Sequence, residues 1–218
     1  MASGIYLVLD SNSTAGRPLE HIVEAAVAGG ITTIQLRCKD MPAGEFVDTV
    51  ESCAKHTSGR AALLVNDRID VYLAARARGA DVQGVHIGQS DIPADLVRTL
   101  IGPHAVLGLS ASTADEIDTA NELNAFAPGT VDYLGVGAVH ATPTKKDHPE
   151  PLGYGGLAAA AARSTAPVVA IGGLDTTDVP AIRSAGAASM AVVRAICAAD
   201  DPRTATAHLI SLWEGETP

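Results

Sequence analysis

A chain of 218 residues with 47% hydrophobic content is long enough to bury a full core and short enough to be a single domain. Its formal net charge of −10 argues against nucleic acid or an anionic membrane surface as the main partner, so an anionic ligand has to be met by a local group of cations. Cys38, Cys53 and Cys197 are too few and too scattered for a disulfide framework or a zinc site, no apolar run reaches membrane-spanning length, and the amino-terminal stretch has neither the basic nor the long apolar region of a signal peptide; a reducing cytoplasm is the expected setting.

In chain order, runs rich in Val, Ile and Leu at 5–9, 31–36, 61–65, 82–87, 105–109, 131–136, 168–171 and 188–193 predict strands. Most are nearly continuous, not alternating, as parallel strands buried on both faces require. Between them, residues 19–28, 44–55, 71–78, 94–101 and 114–123 carry apolar side chains at three- and four-residue spacing and predict amphipathic helices. Eight such units, with no Gly-rich dinucleotide loop after the first strand, predict an α/β fold of the (β/α)8 TIM barrel type, with residues 1–218 as one domain. The sixth connection, from Gly137 to Tyr154, carries Pro143, Pro149 and Pro151 among several charges and suits an active-site loop better than a linker.

In that fold the active site is assembled where strands end. At the end of the second predicted strand, two-residue alternation sends Gln35, Arg37 and Lys39 to one side and Leu36 and Cys38 to the other. A guanidinium fork, a mobile ammonium and an amide on one side suit a pyrophosphate, although a solvated strand end would look the same. Asn66 and Asp67 end the third strand, where Asp67 and Asp70 could equally cap the next helix. Asp91 follows Gly88, Gln89 and Ser90 and could simply start a helix whose first turn contains Pro93. As a pair, Asp67 and Asp91 could hold a Mg2+ ion that completes its shell with water and substrate phosphate. Thr142, Pro143, Thr144 and Lys145 after the sixth strand and Gly172-Gly173 after the seventh supply hydroxyls, a cation and approachable backbone N–H groups for phosphate. The bland readings are a charge run at Lys145-Lys146, a tight Gly-Gly turn and a helix cap at Ser110. His86, inside an apolar strand, reads as a packed histidine, and His140 has no partner at a recognisable spacing. Nothing resembles a nucleophilic Ser or Cys context.

In order, Gln35-Leu36-Arg37-Cys38-Lys39, Val65-Asn66-Asp67-Arg68, Gly84-Val85-His86-Ile87-Gly88-Gln89-Ser90-Asp91, Gly108-Leu109-Ser110, Gly135-Val136-Gly137 through Thr142-Pro143-Thr144-Lys145, and Ala170-Ile171-Gly172-Gly173 closely resemble the thiamine-phosphate synthase family. The likeness runs from the first predicted strand to the eighth. It implies a cytoplasmic transferase that condenses 4-amino-2-methyl-5-(diphosphomethyl)pyrimidine with a thiazole phosphate, releasing pyrophosphate by a Mg2+-assisted dissociative substitution. By that resemblance Gln35, Leu36, Arg37, Cys38 and Lys39 would bind the pyrimidine pyrophosphate together with Asn66, Ser110 and Lys145, and Arg37, Lys39 and Lys145 would act on the leaving group. Asp67 and Asp91 would hold Mg2+, while Thr142, Pro143, Thr144, Gly173 and the backbone near Val193 and Arg194 would receive the thiazole phosphate. Partners would be these small molecules, without nucleic acid or membrane, and the resemblance leaves room for a homo-oligomer. The alternatives are a thiazole tautomerase and a non-catalytic barrel that binds thiamine precursors. Three features depart from the family: Ala138-Val139-His140-Ala141-Thr142 stands where prolines commonly flank an aromatic residue, Arg194 stands where serine is common, and the 67–91 segment is somewhat long, around residues 79–83.

Overall fold

The computed structural model describes residues 4–142 and 150–215. Strands and helices alternate through β1 (Gly4–Asp10), α1 (Leu19–Ala28), β2 (Thr33–Arg37), α2 (Ala43–Thr57), β3 (Ala62–Asn66), α3 (Ile69–Ala77), β4 (Gly84–Ile87) and α4 (Ala94–Ile101). They continue through β5 (Val106–Ser110), α5 (Ala114–Phe126), β6 (Tyr133–Val136), α6 (Gly153–Arg163), β7 (Val168–Ala170), α7 (Val179–Ser184) and β8 (Ser189–Val192), and end with the single turn α8 (Arg194–Cys197) and α9 (Pro202–Glu214). The strands lie in sequence order, β1 to β8, in a closed barrel, the (β/α)8 fold expected from the sequence. Every predicted strand coincides with an observed one, with ends that differ by at most two residues; predicted 82–87, for example, is Gly84–Ile87.

The chain groups into two compact units, one formed by Gly4–His86 with the stretch from Val193 onward and the other by Ile87–Val192. In the first unit, the parallel β1–β2 ladder sets Val8 beside Gln35 and Asp10 beside Arg37, and the β3–β4 ladder sets Asn66 beside His86. Leu7, Leu9, Ile34, Leu36, Leu63, Leu64 and Val65 are completely buried, with Leu63, Leu64 and Val65 consecutive, which is why β3 reads as a continuous apolar run. Helix α9, started by an Asp201 side chain that accepts from the backbone N–H groups of Arg203 and Thr204, packs on α1. A Cβ at Gly29, just past α1, would lie 2.5 Å from the Arg203 carbonyl oxygen and 2.8 Å from Thr206 Cβ. Gly29→Ala is therefore expected to lower stability by about 1–3 kcal/mol through overpacking. Urea titration checks this, and an unchanged midpoint would mean that α1 and α9 separate freely.

In the second unit, β5 to β8 pair in parallel, with Val136 beside Ala170 and Ala170 beside Met190. Helix α5 begins with a capping box in which Thr113 and Glu116 satisfy each other's backbone N–H groups. Arg98 of α4 ties the entrance of β5 by donating to the carbonyls of Gly102, Ala105 and Thr130 and pairing with Asp132 at 2.7 Å. Pro93 is the residue before α4, not part of its first turn as the sequence suggested, just as Pro18 and Pro42 precede α1 and α2. In all three the extended ψ near 140° holds the chain outside the helix until the next residue. Among the described residues, no helix is long and apolar enough to cross a membrane.

Candidate active site

In the first unit the chemistry-bearing residues gather where β1, β2 and β3 end. The alternation along β2 has its expected consequence, and each polar side chain meets a group on a neighbouring strand or just beyond it. Gln35 donates from Nε2 to Tyr6 Oη at 2.8 Å, Arg37 Nη1 pairs with the Asp10 carboxylate, and Lys39 Nζ lies 3.0 Å from Asp67 Oδ2. Asp10 is 2% exposed and also accepts from the backbone N–H of Asn12 at 2.8 Å. It anchors one guanidinium nitrogen of Arg37 while the rest of the planar donor fork keeps its capacity for phosphate oxygens. Leu36 and Cys38 are buried with their side chains in the core, so only their backbone is suited to touching a ligand.

Asp67 does not cap α3. Its backbone adopts a left-handed φ of 61°, a conformation Asp tolerates better than most residues, and its N–H donates to the His86 carbonyl at 2.8 Å. Helix α3 instead starts at Arg68 without a side-chain cap, and Asp70 forms a surface pair with Arg68 that holds its carboxyl below the usual carboxylate value. The Asp67 carboxylate is thereby left at the strand end, where Lys39 and the Asn66 amide, at 2.7 Å, contact its two oxygens. Asn66 Nδ2 spends its two hydrogens on Asp67 Oδ1 and the His86 carbonyl, which fixes the amide's orientation and leaves Oδ1 buried without a hydrogen-bond partner. That oxygen can accept from a ligand amine or a water, but it cannot bind a phosphate oxygen. Val193 precedes α8, and Arg194 is exposed. Arg17 closes the far end of this turn, donating to the carbonyls of Cys197 at 2.6 Å and Ala199 at 2.7 Å.

In the second unit, Asp91 Oδ2 accepts from the Gly88 backbone N–H at 2.7 Å and folds the loop after β4 back on itself. Ser110 ends β5 and its carbonyl accepts from Gln89 at 2.6 Å; since Thr113 caps α5, the helix-cap reading of Ser110 does not hold. After β6 the chain keeps pairing with the loop beyond β7: Val139 donates to the Ile171 carbonyl and His140 to the Gly172 carbonyl, each at 3.0 Å. A Cβ on Gly173, which has φ 67°, would lie 2.9 Å from both His140 Cβ and the Ala141 oxygen, so only glycine suits this approach to Thr142. Thr142 is half-buried, while Pro143, Thr144 and Lys145 lie outside the described residues.

His140 has the partners that the sequence did not suggest. Asp178 Oδ1 accepts from Tyr154 Oη at 2.6 Å and lies 2.8 Å from His140 Nε2, with the two rings edge to face at 5.1 Å. Burial alone would push the Asp178 carboxyl up, but hydrogen bonds from Tyr154, from the Asp175 backbone N–H and from His140 together hold it below its ordinary value. The same bond to Asp178 raises the Tyr154 hydroxyl. Because an ionised carboxylate only accepts, the hydrogen between His140 and Asp178 resides on Nε2.

Asp10 and Tyr6 join the site only through their contacts with Arg37 and Gln35, although Asp10, as the last residue of β1, carries the same strand-end signal as Arg37. Cysteine chemistry has no place here, since burial pushes the thiols of Cys38, Cys53 and Cys197 up to about 12. Among the described residues, no three His, Cys, Asp or Glu side chains group as a metal cage. The carboxylates of Asp67 and Asp91 are hard oxygen donors, of the kind Mg2+ takes in small number while keeping waters and substrate phosphates.

Comparison with known proteins points to one family. Residues 5–196 match the family model described as thiamine monophosphate synthase. The thiamine-phosphate synthase of Vibrio parahaemolyticus is 40% identical over 211 residues, covering 96% of this chain and 98% of that protein. The enzyme of the same name from Moorella thermoacetica is 39% identical over 206 residues, covering 94% and 93%. Among solved structures, thiamine phosphate pyrophosphorylase from Pyrococcus furiosus superposes with a TM-score of 0.83 at 29% identity, covering 99% of this chain and 97% of that one. Orotidine 5'-phosphate decarboxylase from Pyrococcus horikoshii, with a TM-score of 0.68 and 15% identity, shares the fold alone. With a family match spanning all eight strands and relatives of nearly equal length, this chain belongs to the thiamine monophosphate synthase family.

Proposed function

We infer that this chain joins 4-amino-2-methyl-5-(diphosphomethyl)pyrimidine to a thiazole phosphate, forming thiamine phosphate and pyrophosphate. The observation that carries this function is the family match over residues 5–196, backed by relatives about 40% identical that bear the synthase name. A thiazole tautomerase and a non-catalytic precursor-binding barrel have no support among these relatives. The same match spans both compact units, which supports residues 1–218 acting as one barrel domain.

The roles of individual residues are our proposal, supported by the family blocks and by the placement of each described residue at a strand end. Arg37, Lys39 and Lys145 bind the pyrophosphate, with Gln35, Ser110 and the backbone of Leu36 and Cys38 shaping the site. Asn66 presents its unpartnered oxygen, which suits the pyrimidine's amino group or an ordered water. Thr142, Pro143, Thr144, Gly173 and the backbone at Val193 and Arg194 receive the thiazole phosphate. Asp67 and Asp91 hold a Mg2+ ion, whose charge would stabilise the departing pyrophosphate.

As the bond from the methylene carbon to the pyrophosphate oxygen lengthens, the bonding pair leaves with oxygen, and the electron-rich pyrimidine delocalises the positive charge. The thiazole nitrogen then donates its lone pair to that carbon. Arg37, already oriented by Asp10, meets the growing negative charge with little reorganisation, which is where preorganised donors contribute most, and Lys39 adds a mobile charge. No side-chain nucleophile takes part.

The test is an assay of the purified protein with both substrates and Mg2+, following thiamine phosphate and pyrophosphate together. Equal amounts of the two products are expected. Substrate binding without pyrophosphate release would instead support the precursor-binding alternative.

A further inference from the structure

We propose that His140, Tyr154 and Asp178 form a side-chain clasp that positions the first residues of the sixth loop, up to Thr142, against the Gly172-Gly173 turn and so shapes the pocket for the thiazole phosphate. This rests on the assignment of Thr142 and Gly173 to that substrate made above.

Three elements meet in the clasp. His140 lies in the loop after β6, Tyr154 in the first turn of α6 where that loop re-enters the helix, and Asp178 in the short turn before α7. The backbone already brings them close. Leu152 and Gly153 donate to the carbonyls of Ala138 and Val139 at 2.9 and 3.0 Å, pinning the two ends of the sixth loop together, while Val139 and His140 donate across to the seventh loop. At His140, two residues before Thr142, the side-chain contact with Asp178 adds to these backbone bonds.

Asp178 is built for this task. It is 4% exposed, and its second oxygen accepts from the Asp175 N–H at 2.7 Å, so the carboxylate cannot swing away from the two side chains that donate to it. Both donors converge on the same oxygen, Oδ1. The His140 ring, held by Asp178 and packed edge to face on Tyr154, adds a side-chain restraint to the backbone bonds of this loop. The groups facing one another are His140, Tyr154, Asp178 and Asp175. Asp178 is lowered and Tyr154 raised, so the contribution of these two is fully present above about pH 4 and below about pH 10, covering the range of a neutral assay.

These are positioning residues, because none of them is placed on a reacting atom. Tyr154→Phe and His140→Gln in the full chain are each expected to raise KM for the thiazole phosphate roughly five- to twentyfold, as loss of a hydrogen bond to a charged group does. KM for the pyrimidine pyrophosphate should stay within about twofold, as expected of a merely local change. Because both act through one oxygen, the double variant should fall well short of the product of the two single effects. Asp178→Asn is the third arm; should it fail to fold, the His140/Tyr154 cycle decides alone. Equal rises in KM for both substrates, fully multiplicative effects, or unchanged KM for the thiazole phosphate would overturn the clasp. Amide exchange at Val139 and His140, measured without substrate, separates this failure from failure of the functional reading. Faster exchange in the variants, with no thiamine phosphate made even by the unsubstituted protein, would sink only the assigned activity, whereas unchanged exchange would sink the clasp itself.

Discussion

Asp91→Ala is expected to lower turnover roughly a hundred- to a thousandfold, the size seen when one preorganised electrostatic group is lost from a transition state. Asp91 is half-buried and accepts the Gly88 N–H, an interaction worth about 1 kcal/mol. The variant should therefore fold, and its thermal midpoint should fall by only a few degrees. If the carboxylate holds Mg2+, the substitution should also raise the Mg2+ concentration needed for half-maximal activity. A folded Asp91→Ala protein with normal turnover and an unchanged Mg2+ requirement would falsify the metal assignment and leave Asp91 as a loop cap.

Arg37→Ala is expected to damage both stability and catalysis. Removing the guanidinium leaves Asp10, 2% exposed, as a buried carboxylate supported among the described residues by the Asn12 N–H. Breaking a buried pair from one side typically costs about 3–5 kcal/mol, and the remaining hydrogen bond places this case at the lower end. The pyrophosphate simultaneously loses its only planar donor fork among the proposed ligands, with a rate loss of roughly a hundredfold or more. Asp10→Asn combined with Arg37→Ala separates the two effects. Taking away the orphaned charge should recover most of the stability and none of the rate. If Arg37→Ala and the double variant unfold at the same denaturant concentration, the Asp10 pair is not what holds the end of β2.

The apolar runs were enough to place all eight strands, because a parallel strand covered on both faces carries few polar positions to obscure it. Strand ends were legible to within one or two residues. The candidate residues were legible for the same reason: polar residues stand out where they interrupt the end of an apolar run, and Arg37, Asn66 and Ser110 are the last residues of β2, β3 and β5. Helix starts were harder to read. Asp67 and Ser110 carry side chains typical of caps, yet Asp67 is drawn away by Lys39 and Asn66, and Thr113 with Glu116 already supplies the cap for α5.

By itself, then, the sequence determined the barrel and, through its ordered blocks, the family. The tertiary structure decided which groups hold which. Arg37 is steadied by Asp10, 27 residues away, and His140 by Asp178, 38 residues away, with Tyr154 a further partner 24 residues from Asp178. Spacing along the chain carries no trace of such pairs. Two-residue and 3.6-residue periods report only the neighbours within one element, whereas these side chains meet because parallel ladders and the continued pairing of the sixth and seventh loops bring separate elements into register.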